Sequence, residues 1–205
     1  MTDLARGHSS ATLVEAAGAH IDLDPRIRSV YHGARLVGPA FTVQGAGGDN
    51  LALHLAVLQA EPGDVLVVDV GSAHHGHWGE VLTVAAQARG IAGLLIDGGV
   101  RDTIEIGDLG FPVFSRNNTI RGTSKDFHGV FGRRVRIGGV SIAPGDLIVG
   151  DADGVVAVPV ADRSRVLDAA DRRVAQEQEF FAQLRAGART IDLYGFGEPY
   201  RGVDG

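Results

Sequence analysis

Apolar residues in this chain recur in two rhythms, one helical and one extended. In "SSATLVEAAGAH" they return at helical spacing behind Ser/Thr capping candidates, and Gly18 closes the turn, so a helix is expected over 10–18. "ARLVGPAFTVQGAG" reads as strand material bent at Gly38-Pro39. Asp49 then stands as the cap of an amphipathic helix, "NLALHLAVLQA", ended by "EPGD". "VLVVDV" (65–70) is apolar throughout apart from one aspartate, the pattern of a strand covered on both faces. After "HHGHWGE", the run "VLTVAAQA" predicts a helix closed by Gly90, and "IAGLLIDGGV" (91–100) a second buried strand. "RDTIEIGDLG" reads as a short helix, "FPVFS" as a short strand and 116–129 as a polar loop.

The remainder changes character. "RRVRIGGVSIAPGDLIVGDADGVVAVP" is β-rich, with Gly138-Gly139 a candidate hairpin turn. "ADRSRVLDAADRRVAQEQEFFAQLRAG" is a long amphipathic helix with charge alternating along its outer face. Two stretches echo each other, "EPGDVLVVDVG" and "APGDLIVGDADG". Shared turn chemistry and true duplication explain that echo equally well. The expected class is layered α/β with a mixed sheet and a long C-terminal helix, one domain over 1–190. The tail, 191–205, has few packing residues and is expected to dock on a neighbour or fray.

Composition then removes whole classes of chemistry. With no cysteine, thiolate nucleophiles, disulfides and Cys-ligated zinc are excluded. All but one of the 19 basic residues are arginine; the exception, Lys125, falls in a polar stretch read as exposed. A Schiff-base enzyme needs a desolvated lysine, so lysine-based covalent catalysis is not expected. A net charge of −6 argues against a nucleic-acid surface. No apolar run reaches the ~18–20 residues of a membrane span, and the first ten residues lack a signal peptide's apolar segment, so a cytoplasmic protein is expected.

Three places carry candidate chemistry. In "HHGHWGE", His74 and His75 are adjacent and point to opposite faces if extended, whereas His75 and His77 share a face with Glu80 as a third ligand. No helical H-x-x-x-H supports a zinc site there, and a loop whose histidines meet substrate or solvent is the favoured reading. "DGGVRDTIE" follows a buried strand, so Arg101 and Asp102 emerge at the carboxyl edge where open α/β sheets place ligands. Arginine offers a planar fork to a carboxylate, and aspartate a hard oxygen to Mg²⁺ or Mn²⁺. Yet Asp102-x-x-Glu105 also has capping-box spacing, and on pattern alone the cap leads. Gly79-Glu80 opens a helix whose first-turn N–H groups form an anion cradle. If strands 65–70 and 91–96 are parallel neighbours, cradle and Arg101-Asp102 share one edge, an arrangement suited to a small 2-oxo acid.

The motifs "GPAFTV", "GDN", "PGDVLVVDVG", "GE", "GLLIDGGVRD" with Glu105 beyond, "FPVF" and "GGVSIAPGDLIVGDADGVVAVP" occur in an order that resembles the 4-hydroxy-4-methyl-2-oxoglutarate aldolase family. That family shares its fold with the regulator of ribonuclease activity A (RraA). The likeness covers roughly residues 8–190. It implies a swivelling β/β/α-type fold, a homotrimer or hexamer with active sites between subunits, and divalent-metal-dependent release of pyruvate from a 4-hydroxy-2-oxo acid or decarboxylation of oxaloacetate. By that likeness Asp102 is the metal ligand and Arg101 the pyruvate-binding, enolate-stabilising arginine. The backbone of Gly79, Glu80, Val81 and Leu82 is the carboxylate cradle, and Glu177 is donated from the adjacent subunit. A water held by Glu80 and Glu177 is the implied base. Glu15 stands where the family has aspartate, and the histidine-rich stretch departs from its small and polar residues. The regulator branch loses the aspartate of Arg-Asp, which this chain keeps; a non-catalytic regulator binding a protein partner is the alternative.

Overall fold

The computed structural model describes residues 4–196. In chain order these form α1 (Ser10–Ala17), β1 (Arg28–Ser29), β2 (Leu36–Gln44), α2 (Leu51–Gln59), β3 (Val65–Trp78), α3 (Glu80–Ala88), β4 (Gly93–Val100) and α4 (Thr103–Asp108). Then follow β5 (Val113–Asn118), β6 (Val130–Phe131), β7 (Val135–Ile137), β8 (Val140–Ile142), β9 (Leu147–Gly150), β10 (Val155–Val158), α5 (Arg163–Arg185) and α6 (Thr190–Leu193). The main sheet runs β1-β5-β4-β3-β2-β9-β10, with β6 also on β2; β7 and β8 form a separate hairpin. β2, β3, β4 and β5 are parallel, while β1, β6, β9 and β10 join antiparallel.

This is the expected mixed α/β architecture, and its layers follow from which faces are apolar. Every residue of β4 is buried, as a continuous apolar run between two covered faces requires. One face packs under α2, α3 and α4, with Leu53, Leu82, Leu94 and Ile106 in a common cluster. The opposite face meets the β7–β8 hairpin through Leu36, Leu95, Phe114, Ile137 and Ile142. A third cluster joins α1 and the first third of α5 to β9 and β10. Beyond Ala170, no residue of α5 is fully buried.

β2 ties the halves together. Leu36–Pro39 pairs with β9 and Ala40–Gln44 with β3, so the strand exchanges its main partner just after Gly38-Pro39. A side chain at Gly38 would meet the Gly63 carbonyl at 2.5 Å, so the crossing needs glycine. The two Pro-Gly-Asp turns are the same structure: Asp64 Oδ2 accepts from the Glu61 N–H (2.9 Å) and Asp146 Oδ2 from the Ala143 N–H (2.8 Å). Gly138 and Gly139, at φ 53° and 86°, make the expected hairpin turn.

Several expectations are corrected. The histidine stretch is not a loop: β3 continues through it to Trp78. The polar loop starts after Asn118, because β5 outlasts "FPVFS". The residue at the N-cap of α2 is Asn50, although Asp49 accepts the Leu51 N–H (2.9 Å) beside it. The tail begins with α6, where Phe180 and Tyr194 meet edge to face at 5.3 Å; residues 197–205 lie outside the described region. Among the described residues no helix is long and apolar enough to cross a membrane.

Candidate active site

Two helix starts meet at one sheet edge because β3 and β4 are parallel neighbours, paired from Val65↔Gly93 to Asp69↔Asp97. Beyond that point β3 needs the whole run from Asp69 to Trp78 to match Asp97 to Val100. The excess buckles into an arch. Ser72, itself at φ 59°, pins the arch by donating from Oγ to Asp97 Oδ1 (2.9 Å). The two strands then deliver Gly79-Glu80 and Arg101-Asp102 side by side, and the Arg101 N–H donates to the Trp78 carbonyl (2.9 Å).

Asp102 has the left-handed backbone, φ 55° and ψ 43°, a conformation that costs a non-glycine residue about 1–2 kcal/mol. Its side chain makes no cap bond to its own helix. Instead Oδ2 accepts the Glu80 N–H (3.0 Å), closing the head of α3, and lies 3.6 Å from Arg101 Nε. The expected capping box within 102–105 is therefore not formed. Among the described residues Oδ1 has no hydrogen-bond partner. Gly79 permits this approach: a Cβ there would land 2.3 Å from Oδ2. Gly76 does the same for Arg101, where a Cβ would come within 3.2 Å of Cδ and 2.7 Å of the Thr119 carbonyl.

These groups line a cleft of about 220 Å³. One wall is Gly76–Gly79 with the start of α3, where Val81 and Leu82 present first-turn N–H groups that have no intrahelical acceptor. Arg101 and Asp102 line it as well, together with Asn50, His54 and Lys125. A second hollow of about 430 Å³ lies on the far side of Arg101 and Asp102, against Asn118–Ile120. Burial, and then the nearby Lys125 charge, push the His54 pKa down, so the ring stays neutral near pH 7.

The histidines resolve differently. His77 is fully buried; its Nε2 accepts the Gly48 N–H (3.1 Å), leaving Nδ1–H to donate to the Gly99 carbonyl (3.3 Å). Burial pushes its pKa down, so the imidazole is neutral and belongs to the framework behind the cleft. His75 packs edge-on against it at 5.9 Å, and His74 is exposed. Among the described residues no three His, Asp or Glu side chains gather to hold a metal. The donor set of the cleft is thus one carboxylate, Asp102, with an unused oxygen. That fits Mg²⁺ or Mn²⁺, hard cations that keep water or substrate oxygens at most positions, and does not fit a closed zinc site.

Of the residues singled out in the sequence, Gly79, Val81, Leu82, Arg101 and Asp102 line the cleft, and Glu80 stands exposed at its rim. Glu177 does not line it: on α5 its Oε1 pairs with Arg173 Nε (2.9 Å), and Arg173 also binds Glu15. Asn50, His54 and Lys125 were not foreseen. The one available signal was "GDN", which places Asn50 at the head of the helix carrying His54.

The fold is thus a mixed α/β sheet whose carboxyl edge sets an Arg-Asp corner beside a helix amino end. A family model described as "RraA-like: Aldolase/RraA" matches residues 10–157, and this chain belongs to that family. A Halalkalibacterium halodurans protein named "Putative 4-hydroxy-4-methyl-2-oxoglutarate aldolase" is 40% identical over 174 residues, 84% of this chain and 83% of that one. Among solved structures, an uncharacterized protein from Pseudomonas syringae pv. tomato superposes with TM-score 0.85 at 30% identity, covering 95% and 92% of the two chains. Streptomyces coelicolor RraAS2, described as an unusual member of the RNase ES inhibitor RraA protein family, gives TM-score 0.75 at 32% identity over 89% and 96%.

Proposed function

We propose that the protein is a divalent-metal-dependent C–C lyase that releases pyruvate from a 4-hydroxy-2-oxo acid of the 4-hydroxy-4-methyl-2-oxoglutarate or 4-carboxy-4-hydroxy-2-oxoadipate type, decarboxylates oxaloacetate, or does both. One observation carries this reading. Asp102 is held in a costly backbone conformation, turned off its own helix, with a free oxygen beside Arg101 and the open first turn of α3.

In this reading the substrate carboxylate sits on the Val81 and Leu82 N–H groups, where the helix amino end favours an anion. Arg101 reaches the 2-oxo oxygen. Asp102 holds the cation, which when bound supplies Lewis-acid polarisation of that oxygen. As the C3–C4 bond breaks, its electron pair moves onto the 2-oxo oxygen, and the Arg101 guanidinium stabilises the resulting enolate; one such preorganised donor is worth about 3–4 kcal/mol. In the aldol case the proton leaves the 4-hydroxyl to a base at the rim, where Glu80 stands. In the decarboxylation CO₂ leaves instead. C3 is then protonated to give pyruvate. Lys125 offers a point charge to the far end of a diacid. Its exposure keeps it hydrated, so it binds rather than forms a Schiff base. Glu177 joins the site only if a neighbouring copy donates it, which an interfacial trimer or hexamer provides.

Purified protein with Mg²⁺ or Mn²⁺ is expected to release pyruvate from oxaloacetate and from 4-hydroxy-2-oxo diacids, and to lose that turnover on chelation. Asp102→Ala retaining full metal-dependent turnover would refute the assignment. The likeness to RraAS2 favours a second reading, a regulator that binds a ribonuclease. Capture of a ribonuclease with no turnover across the acid panel selects it.

A further inference from the structure

We infer that Asp49 is a positioning residue: it clamps the loop after β5 so that Lys125 stays in the lining of the cleft that also holds Arg101. The consequence for catalysis rests on the lyase reading above, whereas the clamp itself does not. The Asp49 side chain is buried, with the residue only 5% exposed, and its two oxygens collect donors from two elements. Oδ2 accepts from Ser124 Oγ (2.5 Å) and from the Asp126 N–H (2.6 Å), the residues on either side of Lys125. Oδ1 accepts the Leu51 N–H (2.9 Å) at the head of α2. Main-chain bonds complete the seam: Ser124 N–H to the Gly48 carbonyl (2.8 Å) and Asn50 N–H to the Ser124 carbonyl (3.1 Å).

Nearer β5 the loop is tied by the Thr119 N–H to the Val100 carbonyl (2.8 Å) and by the Gly76 N–H to the Arg121 carbonyl (2.8 Å), but around Lys125 apolar packing is sparse. Ile120 is 93% exposed, and Phe127 and Lys125 are exposed. A segment without buried apolar side chains stays ordered only through its hydrogen bonds. The same carboxylate starts the helix carrying His54, and the neighbouring Asn50 Nδ2 donates to the His77 carbonyl (3.0 Å). One buried charge thus ties together the two segments that bring His54 and Lys125 to the cleft. A carboxylate is needed because the converging groups are all donors. An amide has one acceptor oxygen and would turn its own N–H₂ against them. Burial opposes the charged form, but the donors from Ser124, Asp126, Leu51 and Phe127 outweigh it and hold the pKa down to about 2.

The test is Asp49→Asn, read by amide hydrogen exchange and by steady-state kinetics with oxaloacetate and Mg²⁺. Exchange at 124–127 is expected to rise at least about tenfold, with β4 and α5 unchanged. KM is expected to rise about tenfold with kcat within about threefold, the size of one lost charge-assisted contact. Lys125→Ala should raise KM equally, and the double variant no further. Unchanged exchange at 124–127, or KM effects that multiply, would overturn the inference. If Asp49→Asn fails to fold, Ser124→Ala removes one of the clamp's bonds and should shift exchange and KM in the same direction by less. Wild-type protein without turnover sinks the lyase reading alone, since local exchange still decides the clamp.

Discussion

Two aspartates stand at helix starts, one lining the cleft and one behind it, and they are opposites. Asp49 is buried and spends both oxygens on its own helix and the loop opposite. Asp102 is half-exposed, gives its own helix nothing, lends one oxygen to the next helix and keeps the other free. Full satisfaction makes the first a rivet. Incomplete satisfaction, at a backbone position costing about 1–2 kcal/mol, leaves the second with an oxygen to spare for the role proposed above. The histidine arch teaches the same lesson: His77 has both ring nitrogens engaged, and it is framework.

The contrast can be broken by experiment. The largest effect is expected from Asp102→Asn. Asparagine tolerates the left-handed backbone and still accepts the Glu80 N–H, so the thermal midpoint should stay within about 2 °C. Loss of the anionic ligand should lower kcat/KM about a thousandfold, measured as pyruvate release. A parallel loss of stability would recast Asp102 as a second rivet. Gly79→Ala comes next, because its Cβ would lie 2.3 Å from Asp102 Oδ2. Activity should fall about a hundredfold as the carboxylate is displaced, together with about 1–3 kcal/mol of stability in denaturant unfolding.

Acid should separate the two aspartates more finely. The folded-state pKa of Asp49 is depressed to about 2. Its stabilising contribution is therefore full above the unfolded carboxylate value near 3.9 and disappears as pH falls through that depressed value. Denaturant midpoints of the wild type should drop between about pH 4 and 2, and less steeply in Asp49→Asn. His77 gives the smallest and earliest signal. Its folded pKa also lies below the unfolded value near 6.5, so its contribution is complete above that pH and fades as pH falls. His77→Gln should flatten the slope below about pH 6.5.

Much of this architecture was legible in the chain, since it depends on local rules. Continuous apolar runs gave β4 and the first part of β3, Gly138-Gly139 gave a hairpin, and alternating charge gave α5. The Arg101–Asp102 corner was legible because a polar pair straight after a buried strand must surface at the sheet edge. The arch was not. A strand interrupted by Gly71 and Gly76 loses its alternation, and histidines read as polar until burial and two hydrogen bonds neutralise them. Nor was the part of the lining made by Asn50, His54 and Lys125, because these meet through contacts between segments some seventy positions apart, such as Asp49 with Ser124.

The lone lysine has a practical corollary. Amine-directed reagents, whether resin, fluorophore or bifunctional cross-linker, find one side-chain target in this protein, and it is an exposed residue of the cleft lining. Coupling there plugs the opening, so immobilised or dye-labelled preparations should be blocked in proportion to occupancy. Partial acylation becomes a ready titration of accessible sites.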